Sequence, residues 1–134
     1  MSEKVNTTLF EDIVNNVITT TKKGIVITIP KTIKWENYKK ELDAVADWSQ
    51  AMNFKVSHKP KDLEPGNRVY LCYNNQIIGW QTFIGYYTGQ FNCTTTGNDW
   101  KGVFIQRSGP FHYLETPIPC KGFRGFKYFD YAVE

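Results

Sequence analysis

Sixteen of the 21 aromatic residues lie from Tyr70 onward, interleaved with β-branched residues and broken by Gly79, Gly85, Gly89, Gly97, Gly102, Gly109-Pro110 and Pro117 to Pro119. Apolar runs this brief, cut by residues that bend the backbone, fit short strands and leave no room for amphipathic helices. Arg68–Tyr73 and Gln76–Gly85 read as two strands, and Asn74-Asn75 between them tolerates the positive φ of a two-residue hairpin turn. Phe91, Trp100–Gln106, Phe111–Leu114 and Phe123–Val133 supply further short strands. Glycine at the corners predicts a small, strongly curved antiparallel or mixed sheet or barrel.

The first half is different. Leu9, Phe10, Ile13, Val14, Val17 and Ile18 recur at helical spacing behind a Thr8/Glu11 capping box, which predicts a helix over roughly 8–20. Gly24–Ile29 is a β-branched strand stopped by Pro30. Trp35, Tyr38, Leu42, Val45, Ala46 and Ser49 share one side of a second helix from about Ile33 to Ala51, and 58–67 is a polar loop closing on Pro65-Gly66. The order is α+β, with two or so helices flanking the curved sheet. At 134 residues the chain has room for one domain, 1–134. No apolar run is long enough to cross a bilayer and Met1–Phe10 has no signal-peptide core, so a soluble cytoplasmic protein is expected.

Cys72, Cys93 and Cys120 are an odd, widely spaced set that suits neither a disulfide framework nor a C-x-x-C pair. His58 and His112 add no ligand-like spacing, so neither a metal nor another cofactor is expected. The net charge of +3 is modest, but its distribution is uneven. Between Lys101 and Lys127 stand Lys101, Arg107, Lys121, Arg124 and Lys127 against one acid, Glu115, so an anionic partner would be expected there.

Within Lys121-Gly122-Phe123-Arg124-Gly125-Phe126-Lys127, Phe123 and Phe126 offer flat faces, Arg124 a planar cation, and the glycines close backbone approach. Rings beside a guanidinium are what a stacked base needs, although bulged strands with core phenylalanines would leave the same pattern. Arg107 at a strand end can hold a phosphate or carboxylate, or pair with Glu115 or Asp130, and Ser108 follows it. Alternation puts Arg107 and Ser108 on opposite faces. Thr95, in the Thr94–Asp99 loop, offers a hydroxyl; Trp80 and Trp100 offer stacking surfaces, and Gln81 a donor-acceptor edge, with core packing as their alternative. His112 has no local nucleophile or carboxylate partner, and no phosphate-loop, nucleophile-elbow or zinc-protease motif occurs.

Gly66-Asn67-Arg68-Val69-Tyr70-Leu71, Ile77-Ile78-Gly79-Trp80 and Phe83-Ile84-Gly85-Tyr86 resemble the strand-turn-strand run of PUA-like domains, a superfamily that includes PUA, ASCH and EVE domains. The resemblance covers about residues 24–131. It implies a pseudobarrel that takes RNA, modified DNA bases or nucleosides in a cleft between barrel and helices. Asn67 replaces a usual aspartate, and the Gly-x-Lys-x-x-Thr stretch of ASCH amidohydrolases is lacking, with Lys31-Thr32 in its region.

The leading expectation is a binding module, more a receptor than an enzyme, for a nucleotide, a modified base or a nucleic-acid strand of RNA or modified DNA. Its ligand-binding residues would be Trp80, Gln81, Thr95, Trp100, Arg107, Ser108, Lys121, Phe123, Arg124 and Phe126. One alternative is a small amidohydrolase of ASCH type acting on an acylated nucleoside, with Lys31 and either Glu36 or Glu115. The other is a viral or mobile-element protein that inhibits a host enzyme through a protein-protein contact.

Overall fold

The computed structural model describes residues 20–92 and 99–133. Over that span the chain is mostly strand with one short helix: β1 (Thr20–Lys22), β2 (Gly24–Thr28), α1 (Trp35–Ala44), β3 (Met52–Val56), β4 (Arg68–Tyr73), β5 (Gln76–Asn92), β6 (Asp99–Pro119), β7 (Phe126–Tyr128) and β8 (Tyr131–Val133). Six strands in the order β3-β6-β5-β4-β2-β7 form a curled, mixed half-barrel, and β1 pairs with β8 in a separate two-stranded ribbon. This is a small α+β, barrel-like fold. The expected helix over 8–20 falls outside the described residues except at Thr20, which is in β1.

The β4–β5 hairpin turns as expected on Asn74 (φ 53°) and Asn75 (φ 63°). Both positions sit in the left-handed region, where asparagine is among the few tolerated side chains, and the turn's twist matches that of the strands. β2 runs parallel to β4, pairing Gly24 with Arg68 through Thr28 with Cys72, and antiparallel to β7. Its first four residues are buried, which is why it reads as an unbroken β-branched run rather than an alternating one.

Two expectations about the strands are corrected. Trp100–Gln106 and Phe111–Leu114 are parts of one 21-residue strand, and β5 runs on from Gly85 to Asn92. Gly109-Pro110 does not end β6, because Gly109 to Phe111 bulge opposite the single residue Gln81, between the pairs Thr82–Ser108 and Trp80–His112. Gly109 takes φ +83° there, and the missing N–H of Pro110 costs no ladder bond. This register shift and two others, at Ile77–Gly79 and Phe83–Gly85, mark where the long hairpin bends.

The helix also ends earlier than its apolar spacing predicts. Past Ala44 the Asp47 carboxylate accepts from the Ser49 N–H (3.0 Å) and hydroxyl (2.6 Å), Trp48 adopts φ +68°, and the chain turns into β3, an unforeseen edge strand. A side chain that satisfies the backbone locally competes with the next helical bond.

One sheet face buries Ile25, Ile27, Val69, Leu71, Phe83 and Ile105 against Tyr38 and Leu42 of α1. The opposite face buries Val26, Tyr70, Cys72 and Ile77 with Tyr131, and Trp80, Phe123 and Phe129 pack on it. No helix among the described residues is long and apolar enough to cross a membrane.

Candidate functional site

A cavity of about 560 Å3 opens beneath α1, between the end of β2 at Thr28–Pro30 and the edge strand β3, with Phe104 and Arg107 of β6 in its lining. Ile29, Ile33, Val45, Met52 and Phe54 make its walls apolar, while Glu41 and Lys55, both exposed, stand at its mouth.

Arg107 is 2% exposed. Its Nη2 donates to the Tyr38 hydroxyl oxygen, but Nε and Nη1 are buried with no hydrogen-bond partner. Among the described residues no carboxylate pairs with it. A guanidinium removed from water normally has every donor answered, because each orphaned donor costs about 1–3 kcal/mol and a charged one more. Burial pushes the Tyr38 hydroxyl above its ordinary pKa; the Arg107 charge and hydrogen bond pull the other way without prevailing. Tyr38 therefore stays protonated, accepts from Arg107, and keeps its own hydrogen to donate. Trp35 stacks behind it at 5.8 Å between centroids and 29° between planes.

The other expected site residues do not join Arg107; among the described residues, it alone of that set lines the cavity. Ser108 and Gln81 are fully buried and hold the cavity wall from behind. Ser108 Oγ donates to the Gln50 carbonyl (2.6 Å), the Gly109 N–H to the Val45 carbonyl (3.0 Å), and Gln81 Nε2 to the Gly109 carbonyl (3.0 Å). The Trp48 indole lies over Gly109, where a side chain would strike it.

Trp80 lies with the opposite cluster, stacked on His112 at 4.0 Å and 17° and covered by the Arg68 guanidinium at 4.2 Å. Arg68 sits equally close to Tyr131, at 4.3 Å, and donates to the Tyr70 hydroxyl (3.0 Å). Phe123 packs on this side too, under Lys127 at 4.6 Å, whereas Phe126 packs on the α1 side against His58 at 5.3 Å. Lys121 and Arg124 are exposed near the β6–β7 connection. Trp100 pairs with Phe91 in the β5–β6 ladder, and Thr95 lies outside the described residues.

Tyr38, Phe54 and Glu41 are cavity residues that the sequence did not single out, because Tyr38 carries the spacing of an ordinary core residue and Phe54 sits in an unforeseen strand. A second, shallower hollow of about 280 Å3 lies beside the hairpin turn, lined by Trp35, Tyr73 and Tyr113 with Asn74, Gln76 and Ile78. Lys31, Glu36 and Glu115 are all exposed and line neither hollow. Among the described residues no three His, Cys, Asp or Glu side chains gather in a metal-binding group. Cys72 and Cys120 are free thiols, the first donating to the carbonyl of the second at 3.1 Å. No protein-family model, curated protein or solved structure matches this chain.

Proposed function

We propose that this protein is a binding module of the PUA-like type, and that its ligand is a compact molecule of nucleotide or modified-base size received in the cavity beneath α1. The observation that carries the reading is the buried Arg107 guanidinium with two unpartnered nitrogens in the lining of a 560 Å3 apolar hollow. That volume lies within the usual range for small-molecule sites, about 300–1,000 Å3. Few convergent polar groups in an apolar cleft is the usual composition of such sites. An extended strand of nucleic acid would need a run of cations and exposed rings, whereas this hollow has one buried cation and one lysine at its mouth. A single nucleotide or a free base is therefore favoured over a polymer.

Calorimetric titration with nucleosides, mononucleotides and short single-stranded oligonucleotides tests the reading. A mononucleotide or base that saturates one site, and loses at least ten-fold affinity in Arg107→Met, is the expected outcome. Oligonucleotides binding more tightly than mononucleotides, with Arg107→Met unchanged and Lys121→Ala or Arg124→Ala weakened, would move the site to the β6–β7 connection.

A further inference from the structure

We infer that the cavity beneath α1 is a seat for one oxyanion, so that a ligand enters with a single phosphate or carboxylate resting on Arg107 and Tyr38 and its uncharged body toward the mouth. The inference deepens the reading above and rests on it for the identity of the body, but not for the anion. Arg107 is held by Tyr38 through Nη2, and its Nε–H and Nη1–H are buried without partners. Tyr38 is buried and adds an O–H whose oxygen is already engaged by the guanidinium. Nε–H and Nη1–H point to different sides of the guanidinium, so one oxyanion takes one of them together with the Tyr38 O–H, and charge-assisted bonds of that kind are the strong ones.

Charge counting limits how much anion fits. Arg107 is the one buried cation of the lining, and the two other charged residues there, Lys55 and Glu41, are exposed and of opposite sign. The remaining walls, from Ile29 to Phe54, would leave the second and third phosphates of a nucleoside triphosphate desolvated without partners. Discrimination should run against ligands with no anion and also against those with several.

The test is titration of the full chain with a nucleoside, its 5′-monophosphate, its 5′-triphosphate and, as an anion carrying no nucleoside, 2-naphthoate. The monophosphate is expected to bind at least ten-fold more tightly than the nucleoside, and the triphosphate no more tightly than the monophosphate. Arg107→Met should erase the preference for the monophosphate over the nucleoside, and Tyr38→Phe should reduce it several-fold. Nucleoside and monophosphate binding equally, with Arg107→Met indifferent to both, would overturn the anion seat and leave the nucleotide reading standing. Naphthoate binding in an Arg107-dependent manner while no nucleoside or nucleotide binds would do the reverse. Silence from all four probes would remove both. Thermal melts supply a control: since no carboxylate among the described residues pairs with the guanidinium, Arg107→Met should melt no lower than wild type. A fall of ten degrees or more would make Arg107 a structural residue and sink the inference.

Discussion

Arg107 and Gly109 stand two residues apart on β6 and show how little of a side chain's environment is local. The sequence marks Arg107 as an oxyanion partner by its type and its place near a strand end, and the structure has it in the lining of the cavity. It marks Ser108 as facing the other way, since side chains alternate along a strand. Yet both are buried, one bonded to α1 and the other to the turn that follows it. The bulge opposite Gln81 is what alternation cannot foresee: three residues face one, and the strand re-aims its side chains. Gly109 is essential to that bulge. With φ +83° and the Trp48 ring occupying the space a side chain would need, Gly109→Ala should cost about 2–4 kcal/mol, combining backbone strain with displacement of the indole. Urea unfolding followed by tryptophan fluorescence measures it, and a loss under 0.5 kcal/mol would show that the indole is not held there. At Asn75, by contrast, glycine should be tolerated or slightly stabilising, because φ 63° is already a glycine-like conformation.

At the level of elements, what the sequence reveals is what is settled over a few neighbouring residues. The β4–β5 hairpin, with its asparagine pair, and β2, with its β-branched run, stand where expected. β3 was hidden, since Met52–Val56 is an edge strand whose pairing partner, Val103–Arg107, lies about fifty residues away. The helix boundary was hidden for a related reason: an apolar face continues through Val45, Ala46 and Ser49, but the Val45 carbonyl is taken by the Gly109 N–H and the chain leaves the helix. That departure shapes the cavity, since Val45, Gln50, Ala51 and Met52 of the released segment line it. Ser108→Ala should therefore loosen the wall. Losing the bond to the Gln50 carbonyl is expected to cost about 1–2 kcal/mol and to raise hydrogen exchange at 47–51 more than in β4, which mass spectrometry after deuterium labelling resolves. Uniform change across both segments would show that the bond does not act locally.

For the whole molecule, alkaline pH acts on acids that folding keeps protonated. Burial raises Tyr38, Tyr86 and Tyr131 above the ordinary phenol value of 10.0, and Cys72 above 9.0 beside Cys120. Below pH 9 folded and unfolded chains hold these protons alike, so they contribute no pH dependence. Above it the unfolded chain releases them first and binds fewer protons than the native one, so stability falls as pH rises. Urea midpoints should be level from pH 7.5 to 8.5 and drop between pH 9.5 and 11; a midpoint that holds or climbs across that interval would contradict the assigned burial. The predicted α+β class and strong curvature were legible because glycine and aromatic spacing announce bending. The meeting of Tyr38, Phe54 and Arg107 was not, because no pattern within one segment encodes which distant segments will enclose a space.

The ribbon of β1 and β8 sets Thr21 opposite Ala132, both exposed and separated by nearly the whole described chain. Paired antiparallel residues lie within about 4.5–5.5 Å, whereas an unfolded chain of this length separates such positions by tens of ångströms. Fluorophores attached at 21 and 132 would thus act as a molecular latch sensor: near-complete energy transfer while the ribbon is shut, collapsing when it parts. Because the ribbon is not hydrogen-bonded into the six-stranded sheet and meets it through the Tyr131 side chain, that signal would report whether the ends unzip before the barrel gives way.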